Sequence, residues 1–141
     1  MYLPDVNVWL PLVFSQHVHH QVAEAWFASV PDDRPCFFCR LTQMGFLRLA
    51  TNPKANPLQT LTMRRAWEVY QETLLDPRIE FAVEPEGLED QWRQYAQTGT
   101  FSPHVWNDAY LAAFAQAADL ELVTFDYGFK QYADVTVTHL K

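Results

Sequence analysis

Leu122-Val123-Thr124-Phe125-Asp126 decides the fold class: a mostly apolar run of strand length that passes straight into an acid. Before it lies an alanine-rich helical stretch, Val105 to Ala118, and after it Val135-Thr136-Val137-Thr138 alternates as a last strand. Strands separated by helices imply a parallel sheet with helical crossovers. Working toward the N-terminus, Ile79-Glu80-Phe81-Ala82-Val83 alternates as a strand between helical stretches at Leu61–Leu75 and Leu88–Thr98, the second ending at Gly99 as a C′ residue. Cys36-Phe37-Phe38-Cys39 reads as a buried strand, followed by a helix that Thr42 caps and Asn52-Pro53 closes. Met1 to Asp5 reads as a brief strand leading into a helix over Val6 to Phe14, which Pro11 should end or kink, and Gln16 to Ser29 as a second helix. The class is α/β: one domain over residues 1–141, with a mostly parallel sheet of four to five short strands flanked by helices.

Composition agrees with a packed domain. With 49% apolar and 15% aromatic residues and only four glycines among 141, disordered and low-complexity classes are excluded. The longest apolar stretch, Val8 to Phe14, falls far short of the roughly 20 residues of a membrane span. Met1-Tyr2-Leu3-Pro4-Asp5 has no basic leader, so a cytoplasmic protein is expected. A net charge of −7 argues against general coating of nucleic acid. The bases are unevenly placed, however: six of the ten (Arg34, Arg40, Arg48, Lys54, Arg64, Arg65) fall in a segment with no acid between Asp33 and Glu68. Such a segment suits local phosphate contact.

In open α/β sheets, ligands gather beyond the carboxyl ends of the strands, where the strand order reverses. That rule selects Asp5, where the first strand gives way to a helix, and Asp126, directly after the Leu122–Phe125 strand. Asp108 opens a helix that is otherwise almost entirely apolar. Capping accounts for many acids in such places, and Asp126-Tyr127-Gly128 also makes a good turn. The sharper alternative is a hard cation, since Mg²⁺ takes oxygen ligands from one or two carboxylates plus waters. A divalent ion polarises a phosphoryl oxygen and activates water for attack on a phosphodiester.

Four motifs in order carry a family resemblance: Asp5-Val6-Asn7-Val8-Trp9-Leu10, Leu41-Thr42-Gln43 through Thr51-Asn52-Pro53, Trp106-Asn107-Asp108-Ala109-Tyr110, and Leu122-Val123-Thr124-Phe125-Asp126-Tyr127-Gly128. Together they resemble the PIN-domain ribonuclease toxins of bacterial VapBC toxin–antitoxin pairs, over nearly the whole chain. The resemblance implies a PIN-like three-layer sandwich whose acidic site binds Mg²⁺ or Mn²⁺ and cuts RNA. It implies Asp5, Asp108 and Asp126 as catalytic acids, with Asp5 and Asp108 as metal ligands and Asn7, Asn107 and Thr124 as polar supports. It further implies a homodimer held inactive by a cognate VapB-type antitoxin.

One position departs from the pattern. The commoner members carry a glutamate three residues past a threonine, and counting from Thr42 that place is Gly45. The site then holds one metal ion rather than two, or binds it weakly until RNA supplies oxygens, and Arg40 and Arg48 are candidates to grip phosphate there. The rival function is a non-catalytic PIN-like dimer that binds RNA or a partner after losing that acid. His17, His19 and His20 with Cys36 and Cys39 raise the thought of zinc, but cysteines three apart in a strand face opposite ways. The histidines more simply cap or coat a helix, with contact to RNA or a dimer partner as the alternative. The five tryptophans read as core before base-stacking platforms, and the Leu61–Leu75 and Leu88–Thr98 helices as a groove for an antitoxin helix.

Overall fold

A computed structural model describes residues 1–141. The order of elements is β1 (Tyr2–Pro4), α1 (Val6–Val13), α2 (His20–Ala28), β2 (Cys36–Phe38), α3 (Arg40–Ala50), α4 (Met63–Thr73), β3 (Ile79–Phe81), α5 (Leu88–Ala96), α6 (His104–Ala117), β4 (Glu121–Thr124), a 3₁₀ turn (Tyr127–Gln131) and β5 (Val137–His139). All five strands are parallel, in the order β3-β2-β1-β4-β5. From β1 the chain winds outward through β2 to β3, then returns to pair β4 against the other side of β1. The strand order therefore reverses between β1 and β4, which is where such sheets open a crevice.

Alternation along the short strands divides the core between the two faces of the sheet. Leu3 and Leu122 pack with Ala109, Ala112, Phe114 and Leu111 of α6. Cys36 and Phe38 pack on the other face with Trp9, Phe46 and Tyr70. Trp9 lies flat on Phe38 at a centroid distance of 3.8 Å, so this tryptophan is core. The alanines of α6 let it sit close over the sheet while α5 packs on its outer side, tied by the Trp92 indole N–H donating to the Trp106 carbonyl at 3.0 Å.

Several sequence expectations are corrected. Helix α4 packs against α3 on one face and α5 against α6 on the other, so the two do not form a common groove. Thr42 is not the cap of α3 but its third residue; Cys39 stands at the cap, and its N–H donates to the Thr42 hydroxyl at 3.0 Å. Gly99 is not the C′ residue of α5, which ends at Ala96 with Gln97 as its C-cap, and its backbone does not take the left-handed form. Strands β3 and β4 stop at Phe81 and Thr124, short of Val83 and Phe125. The second helix begins at His20 because residues after Phe14 form a turn. Pro11 lacks an N–H to continue α1, which ends two residues later, and its carbonyl accepts from Nδ1 of His20 at 2.8 Å. No helix is long and apolar enough to cross a membrane.

Candidate active site

Asp5, Asn7, Arg48, Asn107, Asp108 and Asp126 line one cavity of about 530 Å³ at the carboxyl ends of β1 and β4. The sheet places Asp5 there directly: its N–H continues the β1–β4 ladder by donating to the Val123 carbonyl at 2.8 Å. Its carboxylate then works in two directions. Oδ1 accepts from the Val6 N–H at 2.7 Å, capping α1, and Oδ2 accepts from the Thr124 hydroxyl at 3.0 Å. The capping reading of Asp5 is therefore correct and does not compete with the site.

Thr124, buried at the end of β4, is the junction of this framework. Its hydroxyl donates to Asp5 and accepts from Asn7 Nδ2 at 3.1 Å and from the Asp126 N–H at 3.0 Å. A hydroxyl has one proton and two lone pairs, so its capacity is fully used. Asn7 completes the bracket, its Oδ1 accepting from the Phe125 N–H at 3.1 Å. Asp126 keeps the turn role as well, Oδ1 accepting from the Gly128 N–H at 2.8 Å. Asp108 is placed differently from the expectation. It does not open α6 but is its fifth residue, past the turn where caps act, and the helix start has no side-chain cap. Packing of an apolar helix, not capping, brings this acid to the cavity.

Crowding shows in the electrostatics. Burial is the main cause that raises Asp5 from 3.8 to about 6; its hydrogen bonds from Thr124 and Val6 oppose the rise, and the charges of Asp108 and Asp126 add to it. Asp108 is raised too, first by burial and then by Asp126. Such a group resists ionising unless a cation joins it.

The donors are carboxylate and amide oxygens, which suit a hard ion and not zinc. No three His, Cys, Asp or Glu side chains converge closely enough to bind a metal as a set. An ion here would draw on one or two carboxylates, with amide oxygens and water, as Mg²⁺ commonly does. The zinc reading fails by the same observation. Cys36 and Cys39 are buried on opposite faces of the sheet, and burial pushes the Cys36 thiol up to about 12. Both should stay unlabelled by iodoacetamide in the folded protein and react on unfolding; rapid labelling in native buffer would contradict this burial.

The basic segment does not form one patch around the cavity. Arg48 lines it, whereas Arg40 lies over the Phe81 ring at 4.8 Å and donates to Gln43. Arg34 pairs with Glu121 at 3.8 Å and Arg65 with Glu68 and Glu72. Gly45 forms part of the wall, and a Cβ there would stand 2.6 Å from Cγ2 of Val6. The missing acid thus coincides with a close approach of α3 to α1. His17, His19 and Phe125 also line the cavity, a placement the sequence left open. The only local signal was Phe125's position beside Asp126.

The sheet is all-parallel, with Asp5, Asp108 and Asp126 lining the cavity at its switch point, and the PIN domain model matches residues 2–135. The chain belongs to the PIN domain family. It is 46% identical over 139 residues to Ribonuclease VapC41 of Mycobacterium tuberculosis, covering 96% of this chain and 95% of that protein. Ribonuclease VapC44 of the same organism is 32% identical, with 88% and 84% covered. Among solved structures, VapBC2 from Rickettsia felis, bound to a DNA fragment from their promoter, superposes with a TM-score of 0.73 at 12% identity, covering 99% of this chain and 98% of that one. FitAcB from Neisseria gonorrhoeae superposes with a TM-score of 0.64 at 26% identity, with 99% and 97% covered.

Proposed function

We propose that this chain is a VapC-type endoribonuclease toxin that hydrolyses RNA phosphodiester bonds at the Asp5–Asp108 cavity with Mg²⁺ or Mn²⁺. The observation that carries the reading is Asp5 itself: a partly buried carboxylate, raised to about 6, fixed by Thr124 and crowded by two further acids. Maintaining that arrangement costs stability, and a cation and phosphate at the strand ends give it a use. Ribonuclease VapC41, at 46% identity, supplies the substrate class. Asp5 and Asp108 would hold the ion, with Asn107 beside them and Asp126 on the outer wall. The ion would supply charge neutralisation at the phosphoryl group and activation of a water.

The chain's own residues have separable tasks. Thr124 and Asn7 keep Asp5 and the Asp126 turn in register by tying both to β4. Asp126, the most exposed of the three acids, would accept a proton from the attacking water. Arg48, exposed on the cavity wall, offers a guanidinium to an RNA phosphate.

The proposal includes a VapB-type antitoxin and a second copy of the chain as partners, acting in the cytoplasm. A groove of about 610 Å³ between the α1–α2 pair and α4, with Leu12, Phe14 and Phe27 on its walls beside Glu24, Arg65 and Glu72, suits an amphipathic partner helix. Met63 and Trp67 stand exposed on the opposite side of α4, beside Leu47 and Arg48 of α3.

The test is cleavage of single-stranded RNA by the purified chain in Mg²⁺, in EDTA, and as Asp108→Asn. We expect cleavage that EDTA abolishes and that Asp108→Asn reduces about 10²-fold or more. RNA binding without cleavage in Mg²⁺ or Mn²⁺ would leave the non-catalytic binding module as the correct reading.

A further inference from the structure

The turn between α1 and α2 contains three histidines in four positions, His17-Val18-His19-His20, and the structure gives them different work. His20 is structural: its Nδ1 donates to the Pro11 carbonyl at 2.8 Å, and its Nε2 lies 3.6 Å from Glu24. His17 and His19 instead line the acid cavity. Their turn is well tied, with the His17 N–H donating to the Phe14 carbonyl and the His20 N–H to the His17 carbonyl, each at 3.0 Å. The Gln16 N–H adds a bond to the Gln59 side chain at 2.9 Å.

We propose that the His17–His19 turn, backed by Phe125, is a nucleobase platform that seats one unstacked base of the RNA beside the phosphate to be cut. This rests on the nuclease reading above. The His19 ring lies on Phe125 at a centroid distance of 4.7 Å and 24° between planes. His19 is exposed, so one ring face is backed by phenylalanine and the other is open. His17 adds a side wall, its ring 5.7 Å from His19 and tilted by 37°. The Nδ1 of His17 accepts from the His19 N–H at 3.1 Å, so in the neutral ring the proton is on Nε2, a donor left for an acceptor on the base edge.

The platform is built on the same frame as the acids. Phe125 sits between Thr124 and Asp126, its N–H bound to Asn7 and its carbonyl accepting from His139 Nε2 at 2.8 Å. A base on His19 is thereby indexed to the carboxylates rather than to a mobile loop. Stacking accepts any base face and suits unpaired RNA, whereas bases in a duplex are already stacked. The edge donor of His17 adds selectivity to this general affinity.

The test maps the ends produced from a randomised single-stranded RNA pool by the unaltered chain, His19→Ala, His19→Phe and His17→Ala. His19→Ala should raise KM about tenfold or more, change kcat less, and flatten the base preference at one position next to the cut. His19→Phe should restore KM, and His17→Ala should flatten the preference with a smaller change in KM. An unchanged KM and end profile in His19→Ala, with its melting temperature unchanged, overturns the platform and leaves the nuclease reading intact. If the unaltered chain cuts no RNA, the nuclease reading fails separately. Fluorescence anisotropy with the same pool then decides: equal affinity in His19→Ala overturns the platform, and a tenfold loss that His19→Phe repairs supports it.

Discussion

Asp5→Asn is expected to abolish RNA cleavage and, at the same time, to make the metal-free protein more stable at neutral pH. Asparagine keeps the helix cap, since its oxygen can still accept from the Val6 N–H, and the Thr124 hydroxyl can turn its proton to Asn7 Oδ1 at 3.3 Å. What disappears is a charge that burial disfavours. Because the folded-state value of about 6 lies above the ordinary 3.8, the native state binds more protons than the unfolded chain between those values. Its stability contribution is therefore greatest below pH 4, falls as pH rises through 6, and stays low above it. A displacement of that size corresponds to roughly 3 kcal/mol for a fully desolvated acid, and Asp5 is only partly buried. We expect about 1–2 kcal/mol of stabilisation in Asp5→Asn, or roughly 3–8 °C in Tm, at pH 7.5 and little at pH 4. Paired melting curves at the two pH values check the sign. A lower Tm at pH 7.5 would mean that Asp5 is chiefly a helix cap, and full cleavage by the variant would remove it from the site.

The second large effect concerns the place without an acid. Gly45→Glu supplies a carboxylate at the position where the family resemblance leads one to expect it, but its Cβ would meet Val6 at 2.6 Å. Relieving that overlap should cost about 1–3 kcal/mol, more than the fraction of a kcal/mol regained by replacing glycine within α3. Val6→Ala removes the opposing methyl groups. In the double variant the two changes should be better tolerated than their sum by about 1 kcal/mol, a coupling that urea unfolding of all four proteins measures. The added carboxylate on the cavity wall should also strengthen Mg²⁺ binding by calorimetry. Additive stability changes would show that α3 and α1 are not held apart by this single contact.

Much of the sheet was legible because buried parallel strands are continuous apolar runs, as Cys36–Phe38 and Leu122–Thr124 are. The ends were less legible. Apolarity persists past Phe81 and Thr124, whereas the strands end there, with one last backbone bond from the Ala82 N–H to the Phe38 carbonyl. Thr42 misled because a threonine inside the first turn can bond back to the cap residue as readily as a cap bonds forward. At the site, Asp5 and Asp126 could be named because two strand ends present them, and Asn7 and Thr124 only through the family resemblance; Asp108 showed locally as an odd charge on an apolar helix. Gly45 was visible as a gap, but its neighbour Val6 lies far away in sequence. The positions of Arg40 and of the two cavity histidines depend on tertiary packing with no local pattern to announce it.

The central place of β1 also has a consequence in time. Its outer neighbour β4 is made last but one, and the bond from Thr124 to Asp5 joins residues 119 apart. During translation, β1 waits with one flank bare until the residues between it and β4 have left the ribosome. The acids cannot be brought into register before then, so an unfinished chain carries Asp5 without the Thr124 bracket that fixes it.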